Sequence, residues 1–298
     1  MGNIVLLTHI LRTLFLSFSV NILYFTVMYQ YLIYMFYAMP NQYMVVSAID
    51  NSHIDEAYCM VSSLYSSNVN NVTLYQLSNL GHTVENILIQ KHPYINIRTF
   101  NFNKYPAHVG ISPVHDKGHY AWKPLIIQQM LHEYNNVIWL DSGTEIISHM
   151  AIDFMIAKAS NYYGVYSMQS SGTIQDWTHH MMITYFKENT HISDVNIYRK
   201  NCHAAMLSFT NTVRVKYIIR LWVKCALDIN CIEPSGASRA NHRQDQSAFT
   251  IIIDYIEQRY NVQHGICIDD PHYAWHNGLH HRSCDKLSFF HKFLQLFT

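Results

Sequence analysis

Two apolar runs in this chain break off at an aspartate. Residues 43–49 end at Asp50, and Val137-Ile138-Trp139-Leu140 ends at Asp141, with Ser142 and Gly143 directly after it. Neither run alternates, which suits strands covered on both faces, as in a parallel sheet. Between them the period becomes helical. Ala57, Met60, Val61 and Leu64 recur at helical spacing, and Ser52 and Asp55 stand where a capping box would start that helix. Residues 72–77 predict the next strand, 83–91 a helix closed by Pro93, and 95–102 a third strand. Residues 103–119 hold Pro106, Gly110, Pro113 and Gly118, the pattern of a loop over a site. A helix follows with Trp122, Leu125, Ile126, Met130 and Leu131 on one broad face and Pro124 in its first turn. Strands alternating with helices in this way predict an α/β fold, a mostly parallel central sheet flanked by helices.

The second half is less regular. Residues 151–160 fit a helix, 163–168 a strand, 169–173 a polar loop and 202–209 another strand. Residues 213–227 form a long helical pattern. A polar stretch at 239–246 opens a further helix whose buried face carries Phe249, Ile252, Ile253 and Ile256. No repeat and no low-complexity linker interrupts the chain.

The N-terminus follows a different pattern. Residues 13–39 contain no charged side chain, longer than the core of a signal peptide and long enough to span a bilayer. Tyr29, Tyr31, Tyr34 and Tyr37 gather toward its end, as in an aromatic belt, and Arg12 lies before it. The expected layout is a cytosolic tail at 1–12, a transmembrane anchor at 13–39 and one lumenal domain at 42–298. In an oxidising lumen the six cysteines can pair. Cys225 and Cys231, six positions apart, are the expected local disulfide; Cys59, Cys202, Cys267 and Cys284 have no assignable partners. Asn71-Val72-Thr73 is an N-glycosylation acceptor sequence if its turn is lumenal and exposed.

Charge excludes one class of partner. Twenty basic residues balance twenty acidic ones, so the chain lacks the basic excess of a nucleic-acid binder. No Walker loop, G-x-S-x-G elbow or G-x-G-x-x-G turn is present, which argues against a P-loop NTPase, an α/β-hydrolase and a dinucleotide-binding enzyme.

Ligands of open α/β sheets sit outside the carboxyl ends of the strands, so Asp50 and Asp141 are candidate site residues. Glu145, four residues after Asp141, would complete a pair of carboxylates able to hold a divalent cation. Asp245 either caps its helix or turns with Gln246 toward the same site, as a base or to hold sugar hydroxyls, with Arg239 and Arg243 available to phosphate. His272, His276, His280 and Cys284 recur every four residues, but Pro271, Asn277 and Gly278 argue against one helix presenting them to zinc.

The blocks YAWKP at 120–124, WLDSG at 139–143, CALDINCIEP at 225–234 and HRQDQSA at 242–248, together with the strand at 44–50, resemble glycosyltransferases of the GT-A type. More closely they resemble a group of animal type II membrane proteins with a nucleotide-diphospho-sugar transferase-like domain. The resemblance spans roughly residues 42–276 and implies a hexosyltransferase-like enzyme of the Golgi or ER membrane. It would take a nucleotide-sugar donor and a glycan, lipid or protein acceptor. It further implies that Asp50 contacts the nucleotide and that Asp141 is the first acid of a D-x-D motif binding Mn²⁺ or Mg²⁺. His272 or His276 would supply a further metal ligand, and Asp245-Gln246 would lie near the donor sugar and acceptor. The chain departs from the pattern at Gly143, where the second acid should stand. Either Glu145 takes its place, or basic residues such as Lys123 or Arg243 take the place of the metal. The alternative is a lumenal GT-A-like binding protein that does not catalyse.

Overall fold

A computed structural model describes residues 43–112, 116–161, 163–262, 265–269 and 279–281. The chain runs through β1 (Tyr43–Ile49), α1 (Ile54–Ser66), β2 (Val72–Gln76), α2 (His82–Lys91) and β3 (Ile95–Thr99). Next come α3 (Trp122–Glu133), β4 (Asn136–Leu140), a short β5 (Thr144–Ile146) and α4 (His149–Asn161). Then follow β6 (Val165–Thr173), α5 (Ile174–Trp177), α6 (His180–Asn189), β7 (Lys200–Cys202) and β8 (Met206–Thr210). The last are α7 (Val213–Ala226), α8 (Ile229–Ile232), α9 (Gln244–Tyr260), β9 (Cys267–Ile268) and β10 (Leu279–His281).

The unalternating strands have a core on each face. Met44, Val46, Val137 and Trp139 pack with α3, α7 and α9, whereas Val45, Ile49, Ile138 and Leu140 pack with α1 and α4. Successive strand residues point to opposite faces, so a strand buried on both loses its alternation.

The sheet order is β3-β2-β1-β4-β8-β6-β7, with β9 added to β6. Strands β1 to β4 pair in parallel. Beyond them β8 runs antiparallel to β4 and β6, and β7 antiparallel to β6. The sheet is therefore mixed: its first half is parallel as expected, and the second half is antiparallel apart from the short parallel pairing of β6 with β9. The reversal has a consequence for the site. Leu140 at the end of β4 pairs with Met206 at the start of β8, and the Asp141 N–H donates to Ala205 O at 2.8 Å. Residues 203–205 are thereby brought to the edge where Asp50 and Asp141 emerge.

Three local expectations are corrected. Residues 169–173 are no loop but the far half of β6, pairing with β7 across a register shift between Gln169 and Thr173. Residues 202–209 are two strands, broken where the His203 N–H turns to Met168 O at 2.7 Å. The Ser52–Asp55 capping box does not form: His53 precedes α1 without a side-chain cap, and Ser52 bonds to Asp50 instead.

Two disulfides close the second half. Cys225–Cys231 is the expected local pair, and Cys202–Cys267 joins β7 to β9 across 65 positions. In the chain-entropy account a loop of that length stabilises by roughly 4 kcal/mol. Cys59 is also disulfide-bonded. The apolar stretch at 13–39 lies outside the described residues, among which no helix is long and apolar enough to cross a membrane.

Candidate active site

Two hollows meet at the edge where β1 and β4 end. The first, about 280 Å³, is lined by residues that include Asp50, His53, Lys117, Trp122 and Gly143. The second, about 230 Å³, is lined by residues that include Lys123, His203, Arg239, Arg243, Asp245 and Gln246. Asp141 and Tyr120 line both.

The second hollow is built on a buried ammonium. Lys123 is 3% exposed, and its Nζ lies 3.2 Å from Asp141 Oδ1 and 2.9 Å from Asp245 Oδ2. It also donates to Ala204 O at 3.2 Å. The Asp245 contact is an ion pair whose angle falls short of hydrogen-bond alignment. Asp141 Oδ1 further accepts the Trp139 indole N–H at 2.6 Å. Burial works against the Lys123 charge, but the two carboxylates outweigh it and hold its pKa above the ordinary lysine value. Burial also raises the Asp245 carboxyl; Lys123 opposes that rise and the Asp141 charge adds to it. Asp245 does not cap α9. It sits inside the first turn, where its carbonyl accepts the Trp222 indole N–H at 2.9 Å and so locks α9 to α7.

The first hollow is built on a partly exposed hydrogen-bond cluster around the buried Asp50. Asp50 Oδ1 accepts from the Ser52 N–H at 2.8 Å and the Ser52 hydroxyl at 2.6 Å, and lies 2.8 Å from His53 Nδ1. Lys117 Nζ donates to Asp50 Oδ2 at 3.0 Å and to Ser52 Oγ at 2.9 Å. Burial pushes the Asp50 carboxyl up, but the bonds from His53, Ser52 and Lys117 prevail and hold it well below the usual carboxylate range. The same bond from Asp50 raises the His53 pKa.

Lys117 reaches Asp50 from an unusual backbone. Lys117, Gly118, His119 and Tyr120 all have φ between 51° and 56°, a left-handed turn. Such conformations cost L-residues roughly 1–2 kcal/mol each and persist where surrounding contacts over-determine them. Here the Trp122 indole N–H holds Lys117 O at 2.9 Å, the Ala121 N–H holds Gly118 O at 2.9 Å, and Arg239 donates to the Tyr120 hydroxyl at 2.8 Å. Gly118 is required: a Cβ there would lie 2.1 Å from Val109 O.

The corner between α7 and α9 supports both hollows. Glu233 Oε2 lies 3.6 Å from His119 Nδ1 and accepts from Gln244 Nε2 at 2.9 Å. Gln244 is itself left-handed, with φ 35°. Fully buried His242 donates from Nε2 to Ile232 O at 3.0 Å and accepts the His179 N–H on Nδ1 at 3.2 Å. Burial pushes its pKa down to about 4; the bond to Ile232 O opposes that fall, and the nearby His179 and His119 add to it. The Cys225–Cys231 bridge pins the segment that carries Ile232 and Glu233.

The structure thus brings Asp50, Lys123, Asp141, Arg243, Asp245 and Gln246 to one edge. Arg243 lies with its guanidinium 4.1 Å from the centre of the Trp177 ring. Glu145 lies in β5 opposite His280 and lines neither hollow. His272 and His276 lie outside the described residues. Among the described residues no three His, Cys, Asp or Glu side chains group to hold a metal ion. Asp141 Oδ1 and Asp245 Oδ2 already face the Lys123 ammonium, and position 143 offers no side chain. Among the described residues, that donor set does not fit a divalent cation. Lys117, His53 and His203 join the site without having been singled out in the sequence, whereas Tyr120, Glu233 and His242 lie within the blocks at 120–124, 225–234 and 242–248.

Comparison with known proteins agrees with this architecture. A family model described as a protein of unknown function (DUF1647) matches residues 31–128. No curated protein matches the chain. The mannosyltransferase Ktr4p from S. cerevisiae is similar in structure at 10% identity and a TM-score of 0.51, over 72% of this chain and 66% of that one. Core-mannan synthase A (CmsA/Ktr4) from Aspergillus fumigatus, in a Mn/GDP form, is similar at 7% identity and a TM-score of 0.51, over 72% and 70%. The chain spans 38% of the WbbM bifunctional glycosyltransferase, at 14% identity and a TM-score of 0.46 over 72% of this chain. The fold is that of GT-A glycosyltransferases.

Proposed function

We propose that the protein is a glycosyltransferase that moves a sugar from a nucleotide-sugar donor to a glycan, lipid or protein acceptor. The observation that carries this reading is the Lys123–Asp141–Asp245 cluster where the two hollows meet, at the strand ends where open α/β sheets bind ligands. In it the nucleoside occupies the hollow at Asp50, and Asp141 lies beside the diphosphate. Asp245 and Gln246 hold the transferred sugar and the acceptor in the second hollow. The acceptor oxygen forms a bond to the anomeric carbon as the bond to the diphosphate breaks. The electron pair leaves on the diphosphate, and the hydroxyl proton passes to a base or to water. Fixed charges favour that redistribution because they need not reorient.

The reading extends to the secretory pathway, with residues 13–39 as a type II anchor in the Golgi or ER membrane. Disulfides persist in oxidising compartments, and the second half carries two. Asn71 is exposed, which suits an attached glycan, but Thr73 of the same acceptor sequence is wholly buried in β2. Modification there would precede closure of the sheet.

The test is release of nucleoside diphosphate from UDP-glucose, UDP-galactose, UDP-N-acetylglucosamine and GDP-mannose by the full chain, with and without mixed glycan acceptors. Asp141→Ala should abolish release while leaving the unfolding midpoint close to that of the parent. Unchanged turnover in that variant would sink the assignment of Asp141. Donor binding with no release under any condition would instead make this a GT-A-like binding protein.

A further inference from the structure

We propose, resting on the transferase reading, that this site holds its nucleoside diphosphate without a divalent cation. The guanidinium of Arg243, with Arg239 lining the same hollow, meets the diphosphate charge. The donor chemistry is the first ground. A hard divalent cation at a phosphate site needs one or two free carboxylates beside the phosphate oxygens and waters. Here the two acids that line the second hollow, Asp141 and Asp245, share one ammonium between them, and Gly143 stands where a second acid beside Asp141 would be. Lys123 is thus already the counter-charge of that pair.

The distribution of charge is the second ground. Lys123, Arg239 and Arg243 against Asp141 and Asp245 leave the second hollow with one positive charge in excess. The first hollow carries Asp50, Glu56 and Asp141 against Lys117 and His53. No carboxylate among the described residues pairs with Arg243; its plane rests on Trp177 and stays available to an anion. A guanidinium offers a planar fork of donors matched to phosphate oxygens. Stacking on an indole holds that fork at low entropic cost. As the anomeric bond breaks, the departing diphosphate gains negative charge, and a fixed guanidinium stabilises it with no metal to bind or release.

The experiment is calorimetric titration of the full chain with UDP and with GDP, first in EDTA and then in Mn²⁺. Binding in EDTA that Mn²⁺ leaves within about threefold is expected, a difference of less than about 0.7 kcal/mol. Arg243→Gln should weaken that binding roughly ten- to hundredfold, and Arg243→Lys by less, since a lysine keeps the charge but loses the fork. Arg239→Gln serves as the second variant should Arg243→Gln fail to fold. Binding that appears only with Mn²⁺, or that survives Arg243→Gln and Arg239→Gln unchanged, overturns the proposal and leaves the transferase reading standing. No binding of either nucleotide in either medium removes both.

Discussion

The two hollows hold their aspartates by opposite means. At Asp50 the carboxylate is met by a hydroxyl, a backbone N–H, an imidazole and an ammonium, and the side chains of Lys117 and His53 are 27% and 40% exposed. At Asp141 and Asp245 one ammonium, 3% exposed, serves two carboxylates. Each partner of Asp50 is replaceable by water or by another partner. Lys123 is not, because removing it leaves two like charges together, one of them on the buried Asp245 and the other on Asp141, whose side chain is 38% exposed. The first arrangement is suited to exchanging partners with a ligand, and the second to staying fixed while a ligand reacts.

The largest expected effect is at the fixed end. Lys123→Met should destabilise the fold by about 3–5 kcal/mol, the usual result of stranding one side of a buried ion pair. Urea unfolding measures it, and adding Asp245→Asn should restore part of the loss. A Lys123→Met protein as stable as the parent would erase the contrast between the hollows.

Acid should act on the same side through His242. Its folded pKa of about 4 lies below the unfolded value near 6.5, so the unfolded chain takes up the proton first. Stability is therefore intact above about pH 6.5 and falls by about 3 kcal/mol as the pH drops to about 4. His242→Gln retains a donor for Ile232 O and an acceptor for the His179 N–H but does not titrate. Over that window its unfolding free energy should fall by about 3 kcal/mol less than that of the parent. Equal losses in the two proteins would show that His242 is not the group responsible.

The smaller effects belong to the first hollow. Gly118→Ala should cost about 2 kcal/mol, because a left-handed residue acquires a Cβ that meets Val109 O. Lys117→Ala should cost less than about 1 kcal/mol, because Lys117 is partly exposed and Asp50 keeps its bonds from Ser52 and His53. Thermal unfolding of both variants checks the order; a Lys117 effect as large as that of Lys123 would reverse it.

What could be read in the chain follows the range of the forces involved. The strands β1 and β4 and the acids after them were legible, because burial on both faces erases alternation and an aspartate cannot continue such a run. Asp245 was legible as a polar break before Phe249, Ile252, Ile253 and Ile256, although its role as cap or site residue was not. The reversal of β8 was not legible, since it depends on pairing between segments far apart. The residues at 169–173 are Gln, Ser, Ser, Gly and Thr, polar enough to look like a loop although they pair with β7. Cys225 and Cys231 betray their bond by proximity, whereas Cys202 and Cys267 give no local sign. Lys117 escaped notice because a left-handed turn of four residues is held by contacts from Trp122, Arg239 and Asp50 rather than by its own propensities.

The Cys202–Cys267 bond makes a covalent ring of everything between its ends, and that ring contains β8, α7, α8 and α9 with Asp245. A protease that cuts the exposed stretch around residues 238–241 would therefore nick the chain without releasing a fragment. Its products would travel as one species until a reductant opened the ring. The part of the molecule that bears half of the candidate site is thus tethered at both ends to the sheet it must face.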